Sequence, residues 1–325
     1  MILAGDIGGT NTRLALFAWE DECLKAAEEA TFRSREYSSL DEIVVEFVAS
    51  RKLPVERAGF GIAGPIKNGR CEATNLAWII DGHQLARKLA LEKVVLVNDL
   101  EANAYGIAML ELKDFVVLNQ GAADASGNAA IVSAGTGLGE AGLFWDGKQH
   151  RPFACEGGHT DLAPRNELEV ELLRFLLGKF SRVSYERAVS GPGLVNIYNF
   201  LRDSGRGQES PDMVEAMRQQ NPAAVISKAA LDGTCALSVQ ALDLFVSLYG
   251  AEAGNLALKI MSTGGLFVGG GIAPKILPKL TGPLFMEAFT TKGRMSPLLK
   301  AMPVRVIMNE KTALLGAARC VLDQL

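Results

Sequence analysis

The chain lacks the cysteine spacings that build disulfide frameworks or structural zinc sites. Its five cysteines are odd in number and widely separated, with no CxxC pair: Cys23, Cys71, Cys155, Cys235 and Cys320. Scattered single thiols are typical of proteins that stay in a reducing compartment. We therefore predict a cytoplasmic protein with neither disulfides nor a cysteine-based metal site.

Long runs of positively charged residues and long apolar runs are also missing. The net charge is only −4 and no dense Lys/Arg run occurs, so the sequence does not indicate a nucleic-acid or membrane-surface role. No apolar run reaches the ~18 residues of a membrane span, and no basic leader precedes Asp6. We expect no nucleic-acid partner, no membrane partner and no signal peptide.

What the sequence does have is an ordinary globular composition, 48% hydrophobic and 22% charged over 325 residues. That length favours roughly two domains. Apolar strands at 57–63 and 93–98 alternate with helical patterns at 82–91 and 99–110, which predicts an α/β fold with a largely parallel sheet. The remaining helical patterns cover 41–51, 167–177, 223 to about 259, and 312–325.

Two stretches share one layout of strand, glycine-rich turn and strand. ILAGDIGGTNTRLALF begins at residue 2, and AIVSAGTGLGEAGLFW begins at residue 130. They match in pattern more than in identity. This weak internal repeat predicts two related lobes.

The first of these turns has the properties of a phosphate-binding hairpin. Gly8 and Gly9 allow a tight turn that exposes backbone N–H groups, and such concavities bind anionic oxygens. Thr10 and Asn11 add side-chain donors, while Asp6 is placed to hold a water on Mg²⁺. A simple β-hairpin turn is the alternative for this loop alone.

Further glycine segments strengthen the phosphate-binding interpretation, and none of them fits the motif that binds a nicotinamide cofactor. A second turn, Gly135-Thr136-Gly137, repeats the first, and the triple glycine at 269–271 would let an adenine or ribose lie against the backbone. The GxGxxG matches at 59–64 and 137–142 do not open a helix, as the dinucleotide motif requires. The P-loop pattern is absent.

Asp99 is the candidate catalytic carboxylate. It follows a buried strand pattern and Asn98, at the carboxyl end where ligands bind in open α/β sheets. Phosphoryl transfer needs a group that orients the acceptor hydroxyl and takes its proton. The alternative, equally supported by the pattern alone, is that Asp99 caps the helix that begins at Leu100.

Seven segments together resemble a known family. GDIGGTN, VVLVNDLEA, SAGTGLG, VGGGIAP and TALLGAA follow the order found in the hexokinase–actin–chaperone superfamily, and the chain is most similar to bacterial glucokinases. ACEGGHTDLAP and YERAVSGPGLVNIY resemble the sugar-site segments of that family. The resemblance covers nearly the whole chain. It implies an α/β fold of two ribonuclease-H-like lobes around a central cleft, a small lobe at 1–110 and 301–325 and a large lobe at 111–300.

The resemblance also implies an activity and its residues. It implies ATP-dependent phosphorylation of D-glucose to glucose 6-phosphate, with Asp99 as general base on the 6-hydroxyl and ATP and Mg²⁺ as cofactors. The implied sugar contacts are Asn98, Asp99, Glu156, His159 and Glu186. The implied nucleotide contacts are Gly5, Asp6, Ile7, Gly8, Gly9, Thr10, Asn11, Gly135, Thr136, Gly137, Gly270 and Gly271, with Asp6 at the metal. From the residues alone, Glu156 and His159 are equally surface turn residues and Glu186 an exposed helix residue.

Other functions remain open at this point. One is a kinase for mannose, fructose or an N-acetyl sugar; another is a sugar-sensing regulator that has lost catalysis. A homodimer is the usual expectation for such a protein. The ROK-type relatives pair a histidine like His159 with a cysteine cluster for zinc, and no such cluster follows here.

Smaller assignments complete these expectations. Cys155 is expected to be a small buried residue rather than a nucleophile, and Thr74, Asn75 and Trp78 are expected to line the cleft. Two small-residue patches, at 102–108 and 316–318, resemble the interdomain hinge of the family, and static helix packing is the alternative.

Overall fold

A computed structural model describes residues 1–21, 23–51, 53–73 and 76–323. Over these residues the chain forms fourteen β-strands and twelve α-helices. The strands are β1 (Ile2–Ile7), β2 (Asn11–Glu20), β3 (Cys23–Arg33), β4 (Arg57–Ile62), β5 (Ile66–Lys67), β6 (Arg70–Glu72), β7 (Ile79–Asp81), β8 (Val94–Asn98), β9 (Phe115–Asn119), β10 (Ala129–Ala134), β11 (Leu138–Trp145), β12 (His150–Cys155), β13 (Gly265–Gly269) and β14 (Val304–Ile307). The helices are α1 (Leu40–Ala49), α2 (Gly82–Leu89), α3 (Asp99–Ile107), α4 (Glu167–Leu177), α5 (Gly191–Asp203), α6 (Pro211–Gln219), α7 (Pro222–Leu231), α8 (Ala236–Ile260), α9 (Leu277–Leu280), α10 (Pro283–Thr290), α11 (Ser296–Ala301) and α12 (Thr312–Asp323).

The chain divides into two compact units. The first unit contains residues 1–114, 151–154 and those from 309 onward, and the second contains 115–150 and 155–308. These bounds differ from the lobes expected from sequence, because β14 pairs with β13 and β9 of the second unit. The segment 301–308 therefore packs with the second unit rather than the first.

The main sheet of the first unit has the strand order β3–β2–β1–β4–β8. The pairs β1–β4 and β4–β8 are parallel, whereas β1–β2 and β2–β3 are antiparallel. A small antiparallel sheet, β5–β6–β7, accompanies it. The expected largely parallel sheet is therefore a mixed one, because the glycine turn after β1 closes a hairpin instead of leading into a helix.

In the second unit the strands β11–β10–β13–β14–β9 lie side by side. Strand β10 pairs antiparallel with β11 and parallel with β13. Strand β1 of the first unit has the same two kinds of neighbour, β2 and β4. The layout expected from the internal repeat is thus present: each unit has a hairpin with a parallel strand beside it.

Helix α8 forms the centre of the second unit's core. Its 25 residues are mostly buried, among them Leu242, Phe245 and Tyr249. The sequence predicted one helix from 223 to about 259, but α7 ends at Leu231 and α8 begins at Ala236. Gly233 between them has φ +68°, a backbone conformation that does not continue a right-handed helix.

The structure also bears on a membrane-spanning role. Within the described ranges, no single helix is both long and apolar enough to cross a membrane. Helices α7 and α8 meet that criterion only when taken together, across a bend of 100°.

Candidate active site

The first glycine turn joins β1 to β2 in the first unit. The N–H of Gly8 donates to Asn11 O at 3.0 Å and closes the hairpin. Thr10 and Asn11 are exposed, and Asp6, near the end of β1, is half-buried. Burial raises the pKa of the Asp6 carboxyl, and Arg13, its partner across the hairpin, opposes that shift.

A buried serine, Ser34, holds this turn in place, and the sequence did not indicate it. Ser34 is fully buried, its hydroxyl donates to Gly8 O at 2.8 Å, and its backbone N–H donates to Thr10 O at 3.0 Å. The hydroxyl of Thr12 lies 3.0 Å from that of Ser34. Two carbonyls of the loop are thereby turned toward Ser34. No sequence motif marks this serine, since the contact joins residues 26 positions apart.

Asn98 and Asp99 lie where β8 passes into α3. The Asn98 side chain accepts the Leu100 N–H at 2.9 Å and donates to Gly64 O at 3.2 Å. Asn98 is the N-cap, and Asp99 is the first residue of the helix, with Oδ1 also 2.9 Å from the Leu100 nitrogen. Asn98 therefore occupies the N-cap position, and Asp99 Oδ1 shares with it the hydrogen bond from the Leu100 N–H.

The loop and the carboxylate share one edge of the sheet. Ile7, Ile62 and Asn98 are in register at the carboxyl ends of the parallel strands β1, β4 and β8. Neighbouring strands are about 4.8 Å apart, so the ends of β1 and β8 are about 10 Å apart. This edge is where open α/β sheets bind ligands, and it brings the predicted first phosphate loop near Asn98 and Asp99.

The second glycine turn joins β10 to β11 in the second unit. The Gly135 N–H donates to Gly137 O at 2.8 Å, and Gly135 O accepts the N–H of Gly191, the first residue of α5, also at 2.8 Å. Thr136 is exposed, and a side-chain atom added at Gly135 would meet nothing within 4 Å. Open space therefore lies in front of Gly135, whereas a Cβ at Gly137 would overlap Glu186 Oε2.

The triple glycine lies against the same turn. Gly270 has φ +82°, and a Cβ there would overlap Ala134 O, so only glycine fits. Gly270 and Gly271 are exposed, and the space above Gly271 is empty within 4 Å. The N–H of Ile272 donates to Ala134 O at 3.3 Å. The structure thus brings together two of the glycine segments assigned to the nucleotide.

The three predicted sugar residues of the second unit lie on two short 3₁₀ turns. Glu156 precedes the turn Gly157–His159; the Glu156 and His159 side chains are 71% and 54% exposed, with Oε2 and Nε2 3.9 Å apart. Glu186 lies in the turn Tyr185–Arg187, and its Oε2 accepts the Leu138 N–H at 3.1 Å. Leu138 directly follows the second glycine turn, so Glu186 is attached to the end of that loop.

The structure also bears on the smaller expectations for Trp78 and Cys155. Trp78 is a core residue, 5% exposed, and its indole N–H donates to Tyr37 O, so it does not line an open surface. Thr74 and Asn75 lie outside the described residues. Burial raises the pKa of the half-buried Cys155 thiol, which disfavours the thiolate of a nucleophile.

The donor set fits a magnesium ion that arrives with a nucleotide. In the part of the chain that the structure describes, no group of three or more His, Cys, Asp or Glu side chains is arranged to hold a metal. Mg²⁺ in phosphoryl-transfer sites needs only one or two carboxylates, with water and phosphate oxygens as its other ligands. The half-buried Asp6, whose burial disfavours an uncompensated charge, fits that requirement.

The chain is similar to proteins of known family over almost its whole length. Residues 3–324 match the glucokinase family model. A glucokinase from Nostoc sp. is 45% identical over 336 residues, covering 98% of both chains. A glucokinase crystal structure from an Antarctic psychrotroph has a TM-score of 0.87 at 32% identity and covers 99% of this chain and 98% of that one.

A more distant structure extends the likeness in fold. A ROK family glucokinase from Streptomyces griseus, in complex with glucose and AMPPNP, has a TM-score of 0.67 at 20% identity, with 99% of each chain covered. The α/β fold expected from sequence, that of the actin-like ATPases, is confirmed. With a family match that runs almost from end to end and relatives above 40% identity, this chain belongs to the glucokinase family.

Proposed function

We propose that this protein transfers the γ-phosphoryl group of ATP to the 6-hydroxyl of D-glucose, with Asp99 as the general base. The observation that carries the reaction is the glucokinase family match over residues 3–324, together with curated glucokinases 43–45% identical over 98% of the chain. The role of Asp99 is supported by its position at the carboxyl end of β8.

Asp99 has the local geometry that such a base requires. It is the first residue of α3, where the helix N-terminus stabilises a negative charge. Asn98 occupies the N-cap position before it. An ionised carboxylate at this edge accepts the hydroxyl proton as the oxygen attacks phosphorus, a contribution of about 10²–10⁴-fold in typical enzymes.

The nucleotide is assigned to the two glycine turns and the triple glycine. Backbone N–H groups of these segments other than those of Gly8 and Gly135, which close the turns, would bind phosphate oxygens. The open surface at Gly271 would accept the adenosine. Asp6 would hold Mg²⁺ through water, and when bound the ion neutralises phosphate charge. Ser34 keeps the first turn in shape by holding the carbonyls of Gly8 and Thr10.

Glucose is assigned to Asn98, Glu156, His159 and Glu186. Glu156 and His159 are exposed and free to turn toward a ligand, whereas Glu186 is held by the Leu138 N–H. A site whose polar groups pair with sugar hydroxyls rejects sugars that leave those groups unpaired. The family relatives favour glucose over mannose, fructose or an N-acetyl sugar, and favour a kinase over a regulator without catalysis.

The cellular setting is part of the proposal. We assign the protein to the cytoplasm, as a homodimer. The location is supported by the five cysteines, all free thiols and none paired, which suits a reducing compartment.

A coupled assay of glucose 6-phosphate formation from glucose and Mg-ATP tests the function, with Asp99→Asn as the variant. Asn keeps the size of the side chain but cannot take a proton, so we expect kcat to fall at least about 10²-fold in a protein of unchanged thermal stability. Glu101→Gln, two residues along the same helix, is the control. Phosphorylation of another hexose but not glucose would refute the substrate, and full activity of Asp99→Asn would refute the base.

A further inference from the structure

Two carboxyl groups are buried side by side in the second unit. Glu140 on β11 is 1% exposed and Glu252 on α8 is 0% exposed. Glu252 accepts a hydrogen bond from Asn255 Nδ2 at 2.8 Å and has Lys259 Nζ 3.6 Å from its other oxygen. Among the described residues, neither oxygen of Glu140 has a donor. Such a group remains buried only if it carries a proton or shares one.

The pKa values of the pair agree with a shared proton. Burial, reinforced by the nearby Glu252 charge and opposed by Lys259, raises the pKa of Glu140 to about 8. Burial also raises the pKa of Glu252. Two carboxyl groups in this position do not both ionise at neutral pH. One protonated carboxyl then donates to the other, which gives one oxygen of each group a hydrogen-bond partner.

The Glu140 end of the pair lies directly beneath the turn that carries two proposed sugar contacts. A Cβ at Gly157 would overlap Glu140 Oε2, and a Cβ at Gly158 would overlap Leu138 O, both far inside the 3.0 Å limit that real Cβ atoms respect. Leu138 and Glu140 are two residues apart on β11 and therefore face the same side. Glu156 and His159 flank the two glycines that rest on this strand.

Glu252 is linked by hydrogen bonds to the turn that contains Glu186. Asn255 Nδ2, which bonds Glu252, also donates to the Tyr185 hydroxyl at 3.0 Å. Tyr185 begins the turn that contains Glu186. Lys292 Nζ donates to Asn255 Oδ1 at 2.5 Å and to Ala251 O at 2.9 Å, which fixes the amide. Hydrogen bonds therefore run from Glu252 through Asn255 to Tyr185, the residue next to Glu186, while Glu140 reaches beneath Gly157.

We propose that Glu140 is a positioning residue for hexose binding: one proton shared with Glu252 keeps both carboxyl groups packed beneath the two turns that carry Glu156, His159 and Glu186. Loss of that proton places two negative charges in one buried site. The turn above Glu140 is then pushed away from β11, and the sugar contacts lose their arrangement. The inference rests on the proposed function, because it assigns glucose to these turns.

The pH dependence follows from the charged and titratable groups that face the pair. Among the described residues these are Lys259 and Tyr249 on α8, Lys292 after α10, Cys155 before the Glu156 turn and Tyr185 on the Glu186 turn. Arg165, before α4, acts on Tyr185 and Lys292. Burial lowers the pKa of Lys292 to about 8, whereas burial raises that of Tyr185 to about 12. As the pH rises through about 8, the pair loses its proton, and the second negative charge disfavours the packed arrangement, so glucose affinity falls on the alkaline side. Lys292 keeps N–H donors for Asn255 Oδ1 and Ala251 O when it loses its charge, so the effect is that of the pair's proton.

The test measures KM for glucose and kcat at pH 6.5 to 9.5 for the parent, Glu140→Gln and Glu140→Leu, and glucose affinity without ATP by calorimetry. In the parent we expect KM to rise about tenfold from pH 7 to pH 9, the effect of one proton with a pKa near 8. Gln donates to Glu252 at every pH, so Glu140→Gln should keep the parent KM at pH 7 and lose the alkaline rise. Leu cannot donate, so its KM should be about tenfold higher at pH 7, with kcat nearly unchanged.

Ile226→Ala, which removes a fully buried side chain of α7, is the control for a general loss of stability and should leave the pH profile intact. A parent KM that is flat to pH 9, or a Glu140→Gln variant that retains the alkaline rise, would overturn the positioning role while the kinase function stands. A parent that neither binds nor phosphorylates glucose would overturn the proposed function, and this inference with it.

Discussion

Gly106 of α3 and Gly316 of α12 bring the backbones of the two helices into direct contact. A Cβ at Gly316 would overlap Ala102 O and the Gly106 nitrogen, and a Cβ at Gly106 would overlap Thr312 O. The two small-residue patches predicted from sequence therefore pack against each other, both within the first unit. Whether they also act as a hinge stays a prediction, which small-angle scattering with and without glucose would test.

Gly316→Ala should destabilise the protein despite the higher helix propensity of alanine. The added methyl group meets backbone atoms that have no room to move, so we expect a loss of about 1–3 kcal/mol in the free energy of unfolding. Chemical denaturation measures it. Gly178→Ala is the matched control, because Gly178 is exposed and has ordinary helical angles, φ −69° and ψ −16°. Equal stability of the two variants would contradict the contact.

Ser34→Ala should weaken ATP binding more than glucose binding. The variant loses the hydrogen bond to Gly8 O and leaves buried groups unpaired, a cost of about 1–3 kcal/mol at a loop assigned to phosphate. We expect KM for ATP to rise about tenfold with KM for glucose almost unchanged. Ser38→Ala, which removes an exposed hydroxyl bound to Glu42, should change neither. An equal rise in both KM values would assign Ser34 a purely structural role.

Two substitutions at Asn98 separate helix capping from sugar binding. Serine is a good N-cap and alanine is a poor one, so Asn98→Ala should lower the free energy of unfolding by about 1 kcal/mol more than Asn98→Ser. Both variants lack the amide, so both should raise KM for glucose to a similar extent. Thermal melting and kinetics on the same preparations distinguish the two roles. A serine variant with parent-like KM would show that Asn98 only caps.

The thiol of Cys155 should react slowly at neutral pH. Burial, reinforced by the negative charges of Glu140 and Glu156, raises its pKa above the ordinary 9.0. A raised pKa means less thiolate at pH 7, and thiolate is the reactive form. Iodoacetamide labelling followed by peptide mass spectrometry should therefore modify the exposed Cys23 first, while the Cys155 rate keeps rising above pH 9. Rapid labelling of Cys155 at pH 7 would contradict this environment.

The predictable part of the fold is the part encoded by local pattern. The helix predicted at 167–177 has those bounds in the structure, because Asn166 caps it and its apolar residues recur at helical spacing. Strand β3 was missed, since it is an exposed edge strand whose charged residues hide the alternation. The break between α7 and α8 was missed because the flanking Ala/Leu-rich composition favours one continuous helix.

The candidate site also has one part that local sequence pattern encodes and another that it does not. Glycine turns and a carboxylate after a buried strand are visible in the sequence itself, so the two loops and Asp99 were predicted, and their roles stay predictions. Ser34 and Glu140 were not, because a serine or glutamate in a sequence does not reveal that it is buried. Their roles depend on contacts with residues distant in sequence, such as Gly8 for Ser34 and Glu252 for Glu140. Sequence thus indicates candidate ligand contacts, but it does not indicate the buried groups that pack behind them.

The first unit is built from both ends of the chain, and this has a consequence for synthesis. Its last helix, α12, covers the apolar residues Ile2, Ala4, Ala15 and Phe17 of β1 and β2. Ribosomes add about 5–20 residues per second, so α12 is made about 10–40 s after residue 114. During that interval the nascent chain exposes one apolar face of its first sheet, a surface that chaperones recognise. Truncation before residue 309 would leave that face exposed permanently.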